Sequence, residues 1–248
     1  MARRRLVDVD HPDTSLTDAF WLQFGEDPQP PMRLKILYIT LGEVAKSGPG
    51  SFNVASVCDR LGITYPMVNH YFGGRDGLLA EGAVMRYRMY VDALAKAAAE
   101  PLAPEDRLRA WIFQQLRDTI AMGGWAPILN YQLSAREVND IINDRFRTEM
   151  NGLFQLNLAR LGSLILDIRA GECSKIDFIT FPKNEMLADP ALQALAPLVA
   201  WSAFGLSVWV AGSHAPARDI PEVSMMSHDL IENHVSLLID TIKNWKEN

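Results

Sequence analysis

Residues 53–72 read NVASVCDRLGITYPMVNHYF, and this stretch has the pattern of two short helices that cross at a tight turn. The first helix needs a small residue at the crossing, which Cys58 supplies, and an apolar inner side, which Val57 and Leu61 supply. Gly62 then stands at the turn, where glycine adopts a positive φ more readily than any other residue. The spacing therefore predicts a first helix that ends at this glycine.

The residues after the glycine fit the start and the inner side of a second helix. Ile63 is the apolar residue at its entry, Thr64 is a typical N-cap, and Pro66 is tolerated in the first helical turn. Val68 and Tyr71 are predicted to point inward as anchors. The stretch as a whole predicts a helix-turn-helix, whose second helix enters the major groove of DNA.

The outward positions of this motif carry the predicted DNA contacts. Asn53 is a predicted N-cap of the first helix, and the first backbone amides of that helix are then available to a phosphate. Arg75 follows two flexible glycines, which suits a grip on a phosphate but also fits a solvated charge. The predicted DNA-binding residues are Asn53, Thr64, Tyr65, Met67, Asn69, His70, Tyr71 and Arg75.

The same residues resemble the tetracycline-repressor (TetR) family of transcriptional regulators. The family's motif ends in a tyrosine or histidine, an aromatic pair, and a basic residue before an acidic one, and residues 70–79 read HYFGGRDGLL. The similarity covers residues 36–79. Tyr65 and Pro66 stand where the family often has lysine and glycine, and Asn69 replaces its usual tyrosine.

The resemblance implies a bacterial, all-helical homodimer in which three N-terminal helices bind an operator in double-stranded DNA. It also implies C-terminal helices that form a pocket for a small-molecule effector and a dimerising bundle, with repression as the usual mode of action. We accordingly expect an N-terminal extension over residues 1–31, a DNA-binding domain over residues 32–80, and a ligand-binding and dimerisation domain over residues 81–248. Apolar residues at helical spacing predict an all-α fold, with helices over residues 16–24, 33–46, 75–99, 105–122, 136–170, 191–212 and 223–245.

Charge and composition limit the remaining functional classes. The chain has 248 residues and a formal net charge of −6, yet residues 32–99 carry eight Lys and Arg against five Asp and Glu. The motif thus lies in the basic part of the chain, a modest charge difference that supports DNA binding. The first residues do not read as a secretory signal, and no apolar run reaches the roughly 18 residues of a membrane span. We therefore expect a cytoplasmic protein without a membrane segment.

Motifs for catalysis and for metal binding are missing from the sequence. It contains no GxSxG, no HExxH and no phosphate-binding glycine loop. Cys58 and Cys173 lack metal-ligand spacing, and so do His214, His228 and His234. We expect no enzymatic activity, no cofactor and no metal site. One alternative to a DNA-binding regulator stays open, namely a protein of the same fold that acts as a protein-interaction or ligand-binding module without DNA binding.

The segment after residue 104 combines bulky aromatic residues with a few polar ones, which suits a pocket for a mostly hydrophobic effector. Each aromatic residue taken singly also fits a packed core. The predicted pocket residues are Trp111, Gln115, Thr119, Tyr131, Phe154, Asn157 and Trp201. The last helix carries an apolar stripe that predicts a partner helix in a homodimer. The stripe consists of Met226, Leu230, His234, Leu237, Leu238 and Trp245.

Overall fold

The structure is a computed structural model that describes residues 31–99, 103–129, 135–173, 188–213 and 228–246. Within these ranges the regular secondary structure is helical and contains no strand, which confirms the predicted all-α fold class. A 3-10 turn at Gly123–Trp125 joins the fifth and sixth helices. The helices are α1 (Met32–Ser51), α2 (Val54–Leu61), α3 (Tyr65–Phe72), α4 (Arg75–Ala98), α5 (Pro104–Met122), α6 (Ala126–Leu129), α7 (Arg136–Arg145), α8 (Arg147–Ala170), α9 (Pro190–Ser213) and α10 (His228–Asn244).

The described residues form two compact units. The first, called the helix-turn-helix unit, comprises described residues between 31 and 89 and between 121 and 151. The second unit comprises those between 90 and 120 and between 152 and 246, so α4 contributes residues to both. The predicted domain boundary between residues 80 and 81 stays a prediction. The helix predicted over residues 16–24 and the start of the one over residues 223–245 lie outside the described residues.

The prediction of one continuous helix over residues 136–170 is wrong. Phe146 leaves the helical conformation with φ −122° and ψ 9°, and two helices, α7 and α8, replace the predicted one. The Phe146 amide still donates to the Ile142 carbonyl at 2.8 Å, and the Phe146 carbonyl accepts from the Met150 amide at 2.9 Å. The break is therefore a kink, and neither proline nor glycine marks it in the sequence.

The helix α1 supplies a large part of the buried surface of the helix-turn-helix unit. Its regular part ends at Gly48, as the sequence predicts, because this residue has φ 74° and ψ 163°. One further turn follows, and the Phe52 amide closes it by donating to the Gly48 carbonyl at 3.1 Å. Every residue from Ile36 to Gly42 is buried, as are Val44 and Ala45, so the middle of α1 is enclosed on all sides.

Trp125 fixes the 3-10 turn inside the same unit. Its side chain is fully buried, and its Nε1 donates to the Leu41 carbonyl at 3.0 Å. A Cβ atom at Gly82 would lie 2.7 Å from the Trp125 ring, and one at Gly123 would lie 2.5 Å from the Ala45 carbonyl oxygen. The turn packs so closely against α1 and α4 that glycine is required at both points.

The second unit is built around an apolar core drawn from α4, α5, α8, α9 and α10. This core also encloses an ion pair, in which an Arg107 Nη donates to an Asp167 oxygen at 2.8 Å. The Arg107 Nε donates to the Ala98 carbonyl, the last residue of α4, at 2.8 Å. The guanidinium and the carboxylate are both nearly fully buried, so this pair depends on mutual satisfaction of its hydrogen bonds.

One stretch of the described residues, Pro190–Val208 in α9, has the length and hydropathy of a membrane span. The stretch lacks charged residues but includes polar ones. The sequence analysis predicted no segment long and apolar enough to span a membrane. Leu195, Val199 and Ala203 from this stretch are buried in the core of the second unit. The core of a helical protein accounts for a helix of this composition as well as a membrane does.

Candidate nucleic-acid interface

The second helix of the motif, α3, exposes most of its residues. Val68 and Phe72 are its buried residues and attach the helix to the unit. Tyr65 is 51% exposed, Met67 38% and Tyr71 37%, although large side chains of these types are more often buried. Asn69 and His70 are exposed as well. The helix therefore presents a broad surface in which apolar and aromatic side chains predominate.

The sequence prediction of the inward anchors is half right. Val68 is fully buried as predicted, but Tyr71 is exposed and Phe72 occupies the second inward position. Tyr71 lies one residue earlier in the helix, about 100° around its axis, and so turns out of the unit. Leu61 of α2 is only half-buried, whereas Val57 and Cys58 are fully packed. The exposed phenol of Tyr71 is compatible with its predicted place among the DNA-binding residues.

The first helix of the motif, α2, begins and ends as the sequence predicts. The Asn53 side chain accepts a hydrogen bond from the Ala55 amide at 2.9 Å and caps the helix. Gly62 ends it with φ 63° and ψ 34°. Thr64 occupies the N-cap position of α3, but its hydroxyl makes no cap hydrogen bond to that helix. The exposed Thr64 side chain thus remains a candidate for contact with a phosphate.

The junction between α3 and α4 consists of two glycines with positive φ. Gly73 has φ 75° and Gly74 has φ 117°. A Cβ atom at Gly77, in the first turn of α4, would lie 1.9 Å from the Phe72 carbonyl oxygen. The start of α4 therefore approaches the last residue of α3 so closely that a side chain at position 77 would displace the backbone.

Arg145 is a residue of this site that the sequence analysis missed. Its guanidinium donates to the Phe72 carbonyl at 3.5 Å, a long hydrogen bond that joins α7 to the end of α3. A positive group at a helix C-terminus also interacts favourably with the helix dipole. The two residues are separated by 73 positions, and no local pattern announces their contact.

The guanidinium of Arg75 is held by the protein itself. It donates to the Phe52 carbonyl at 3.3 Å, to an Asp76 oxygen at 2.9 Å, and to the Pro49 carbonyl. It also lies 5.9 Å from the centre of the Phe52 ring, within the range of a cation–π contact. Arg75 is thus not a fully solvated charge, and it ties the start of α4 to the connection between α1 and α2. A guanidinium has five N–H donors, so donors remain for a phosphate.

Several arginines of the helix-turn-helix unit pair with carboxylates. Arg33 makes a bidentate pair with Glu81, with both N–O distances at 2.7 Å, and Arg60 lies 2.5 Å from Glu43. Burial raises the pKa of Glu81 even though Arg33 opposes the shift. The charges of Arg33 and Arg60 are therefore balanced by neighbouring carboxylates within the unit.

Three of the predicted DNA-binding residues meet at one cavity of about 300 Å³. Asn53, Tyr65 and Arg75 line it, together with Asp59 and apolar residues of α2. Burial and the neighbouring Asp59 both raise the pKa of Cys58, which also borders this cavity. The cavity therefore lies beside the capped start of α2, where backbone amides favour an anion.

The predicted effector residues fall into two groups. Trp111, Gln115 and Thr119 are buried on α5, and Asn157 is half-buried on α8. Phe154 and Trp201 are 57% and 77% exposed, respectively, and Tyr131 lies outside the described residues. Among the described residues, no hydrogen-bond partner is found for the buried Trp111 Nε1 or for Asn157 Oδ1. These two buried polar atoms are the observation in the second unit that most calls for a ligand or a water.

Comparison with known proteins gives similarity to helix-turn-helix regulators. The chain is 34% identical over 90 residues to the HTH-type transcriptional regulator BetI of Burkholderia mallei (strain NCTC 10229), and the match covers 35% of this chain and 45% of that protein. BetI of Burkholderia thailandensis gives the same figures. BetI 1 of Chromohalobacter salexigens is 32% identical over 87 residues, 34% of this chain and 42% of that protein. No protein-family model matches the chain.

The match spans less than half of the length of these curated relatives. The names of these relatives describe transcriptional regulators with a helix-turn-helix, and the structure has this motif in α2 and α3. Over about a third of its length, the chain is thus similar to helix-turn-helix transcriptional regulators.

Proposed function

We propose that this protein is a transcriptional regulator that binds double-stranded DNA through α3 and is released by a small-molecule effector. The observation that carries the proposal is the exposed face of α3, held by two buried anchors and preceded by a capped α2. A helix-turn-helix with this exposure can place its second helix in the major groove. The similarity to named regulators of transcription supports the same function.

The proposed phosphate contacts come from the ends of the helices. Asn53 caps the Ala55 amide at the N-terminus of α2, the end of a helix that favours an anion, and Arg75 lines the same cavity as Asn53. Thr64, Tyr65 and Tyr71 bear exposed hydroxyl groups. Hydroxyls and backbone amides are frequent phosphate donors and fix the orientation of the protein on the duplex. Binding of this kind needs fewer free cations than a basic helix would.

We also propose that the active form is a homodimer on a pseudo-palindromic operator. Leu198, Trp201 and Phe204 on α9 and Leu237 on α10 are exposed, with Trp201 77% and Leu237 65% accessible. The two helices are tied to each other by a 2.9 Å hydrogen bond between Ser202 and His234. Large exposed apolar side chains on adjacent helices favour a helical interface between subunits. A dimer would place the two copies of α3 one DNA turn, about 34 Å, apart.

The proposed effector is mostly hydrophobic and interacts with the second unit. Trp111 contributes a buried donor and Asn157 a buried acceptor, so a ligand with one matching polar group would satisfy either atom. The continuous helix α4 starts at the motif and contributes residues to both units, and it is the proposed route from effector to DNA. Release of DNA requires an effector that binds one conformation of the protein more tightly than another. The coupling free energy between effector binding and DNA binding is typically about 1 to 3 kcal/mol. We propose repression as the mode of action.

The test of this function is a titration of labelled DNA from the protein's own upstream region, followed by fluorescence anisotropy. We expect binding that is at least about tenfold tighter than to a shuffled duplex of equal length, since specific binding exceeds non-specific binding by far more in regulators of this kind. Sedimentation of the same complex is expected to give two protein chains per duplex. Equal affinity for both duplexes at low salt, together with a folded protein, would favour the alternative of an interaction module without sequence-specific DNA binding.

A further inference from the structure

The outermost side of α3 has an unusual chemistry for a helix in a DNA groove. The helix reads YPMVNHYF and contains no Arg, Lys, Asp or Glu. Its inward direction is fixed by the buried side chains of Val68 and Phe72. Because successive residues are about 100° apart, Pro66, Met67 and His70 lie roughly opposite to these anchors. The part of the helix that would enter deepest into a groove is therefore apolar apart from one imidazole.

The other exposed residues of α3 lie on its flanks. A Cβ atom at Gly74 would be 3.7 Å from Asn69 Oδ1 and 3.8 Å from the Tyr65 hydroxyl, so both side chains lie on the side of α3 that faces the turn into α4. Tyr71 lies on the opposite flank, with its ring 5.4 Å from that of His70. The amide and the phenols thus border an apolar centre formed by Pro66 and Met67.

The chemistry of the major groove limits what this surface can read. A guanine is recognised mainly by a bidentate Arg or Lys, and a cytosine by an acidic side chain, and α3 has neither. A thymine presents a C5-methyl group that apolar side chains contact. His70 can donate to the purine N7 atom, which adenine and guanine share, so it does not distinguish them. Asn69 can pair with adenine.

We infer that α3 reads A·T base pairs, chiefly through contacts of Met67 and Pro66 with thymine methyl groups. The centre of each half-site is therefore A·T-rich, and its recognition depends on apolar contact more than on charge. This inference rests on the proposed DNA-binding function and adds the class of base pair that the regulator recognises.

The experiment begins by selecting duplexes from a random pool with the full-length protein. In the selected site, each thymine of a half-site is then replaced singly by deoxyuridine, which removes the methyl group and keeps base pairing. We expect the selected half-sites to be rich in A·T pairs. Replacement of thymine by deoxyuridine is expected to weaken binding about fourfold at one or more positions, because that factor corresponds to the burial of one methyl-sized apolar group. Met67→Ala is expected to bind the thymine and deoxyuridine duplexes equally at one or more of those positions, namely those whose methyl group Met67 contacts.

Met89→Ala is the matched control, because Met89 lies on α4 about 20 Å along the helix axis from its start. It is expected to keep the full difference between thymine and deoxyuridine. G·C-rich half-sites, or equal affinity of the unchanged protein for thymine and deoxyuridine at every position, would overturn the inference while leaving DNA binding intact. A pool in which no sequence is enriched would overturn the proposed function itself, so the two failures are distinguishable.

Discussion

The two units of the chain differ in where the ion pairs Arg60–Glu43 and Arg107–Asp167 lie. In the helix-turn-helix unit, arginines such as Arg60 pair with carboxylates near the surface, and α3 exposes Tyr65 and Tyr71. In the second unit, Arg107 and Asp167 pair inside the core. Substitution of an exposed residue in the first unit thus costs little stability. A weaker affinity for DNA in such a variant therefore reflects a lost contact with DNA and not a loss of folding. Substitutions in the interior of the second unit are expected to lower the free energy of unfolding before they change any binding property.

The largest expected effect is on the buried ion pair of the second unit. Arg107→Ala removes the ion pair with the buried Asp167 carboxylate and the donor to the Ala98 carbonyl. We expect a loss of about 3 to 5 kcal/mol in the free energy of unfolding, measured by urea denaturation. Arg60→Ala breaks an exposed pair and is the control, with an expected loss below about 1 kcal/mol. Similar losses for the two variants would contradict the contrast between the units.

The next effect tests the close approach of α4 to α3. Gly77→Ala directs a Cβ atom at the Phe72 carbonyl oxygen and is expected to cost about 2 to 3 kcal/mol, since the backbone must shift. Gly42→Ala is the matched control, because it also lies inside a helix but its Cβ atom would meet nothing within 4 Å. That variant is expected to gain about 0.5 to 1 kcal/mol. Thermal unfolding of both variants measures the difference in stability. A Gly77→Ala variant that is more stable than the unchanged protein would refute the close approach of α4 to α3.

The same contrast explains how much of the structure could be predicted from the sequence. The Asn53 cap and the positive φ of Gly62 are confirmed because the residues that determine them lie within one or two turns of each other. The contact of Arg145 with Phe72 joins residues 73 positions apart, and that of Trp125 with Leu41 spans 84. Such contacts depend on how helices pack, and helix periodicity does not specify which helices meet.

The predicted effector residues show this limit most clearly. Helical spacing identified Trp111 and Trp201 as alike, yet one is buried in the core and the other is 77% exposed. Which side of a helix faces the core is decided by its neighbours when apolar residues surround it, as they do on α9. The predicted pocket therefore stays a prediction, with the partnerless polar atoms of Trp111 and Asn157 as its structural support.

The third prediction concerns effector release and uses Trp111. Trp111→Ala would confuse binding with folding, because this side chain is only 2% exposed and its truncation is expected to cost about 3 to 5 kcal/mol in stability. Trp111→Phe keeps most of the ring volume and removes the Nε1 donor. After a thermal-shift screen has found an effector, we expect this variant to bind DNA as before and to need at least fivefold more effector for release. Unchanged release would show that the effector does not use this donor.

A fourth effect concerns base recognition in the first unit. Asn69→Ala is expected to lose about 1 to 3 kcal/mol of discrimination among operator variants, because an amide can pair with adenine in a bidentate manner. Unfolding should be unaffected, since Asn69 is exposed. Competition titrations with single-base variants of the selected site measure the change. Equal losses of affinity on all sequences would mean that Asn69 contacts the backbone and reads no base.

The smallest expected effect decides what Arg75 does. If its remaining donors contact a phosphate, Arg75→Ala weakens binding about equally on specific and random duplexes, and the slope of log affinity against log salt falls by roughly one. If Arg75 only ties α4 to the Phe52 and Pro49 carbonyls, the variant loses stability and affinity, but the salt slope stays unchanged. Arg75→Lys separates the two roles, because lysine keeps the charge for a phosphate but cannot reproduce the planar set of donors that reaches both carbonyls. We expect Arg75→Lys to retain the salt slope and to lower the melting temperature. For Arg75→Ala, a fallen slope with an unchanged melting temperature would assign the charge to DNA and leave the internal hydrogen bonds without a measurable role.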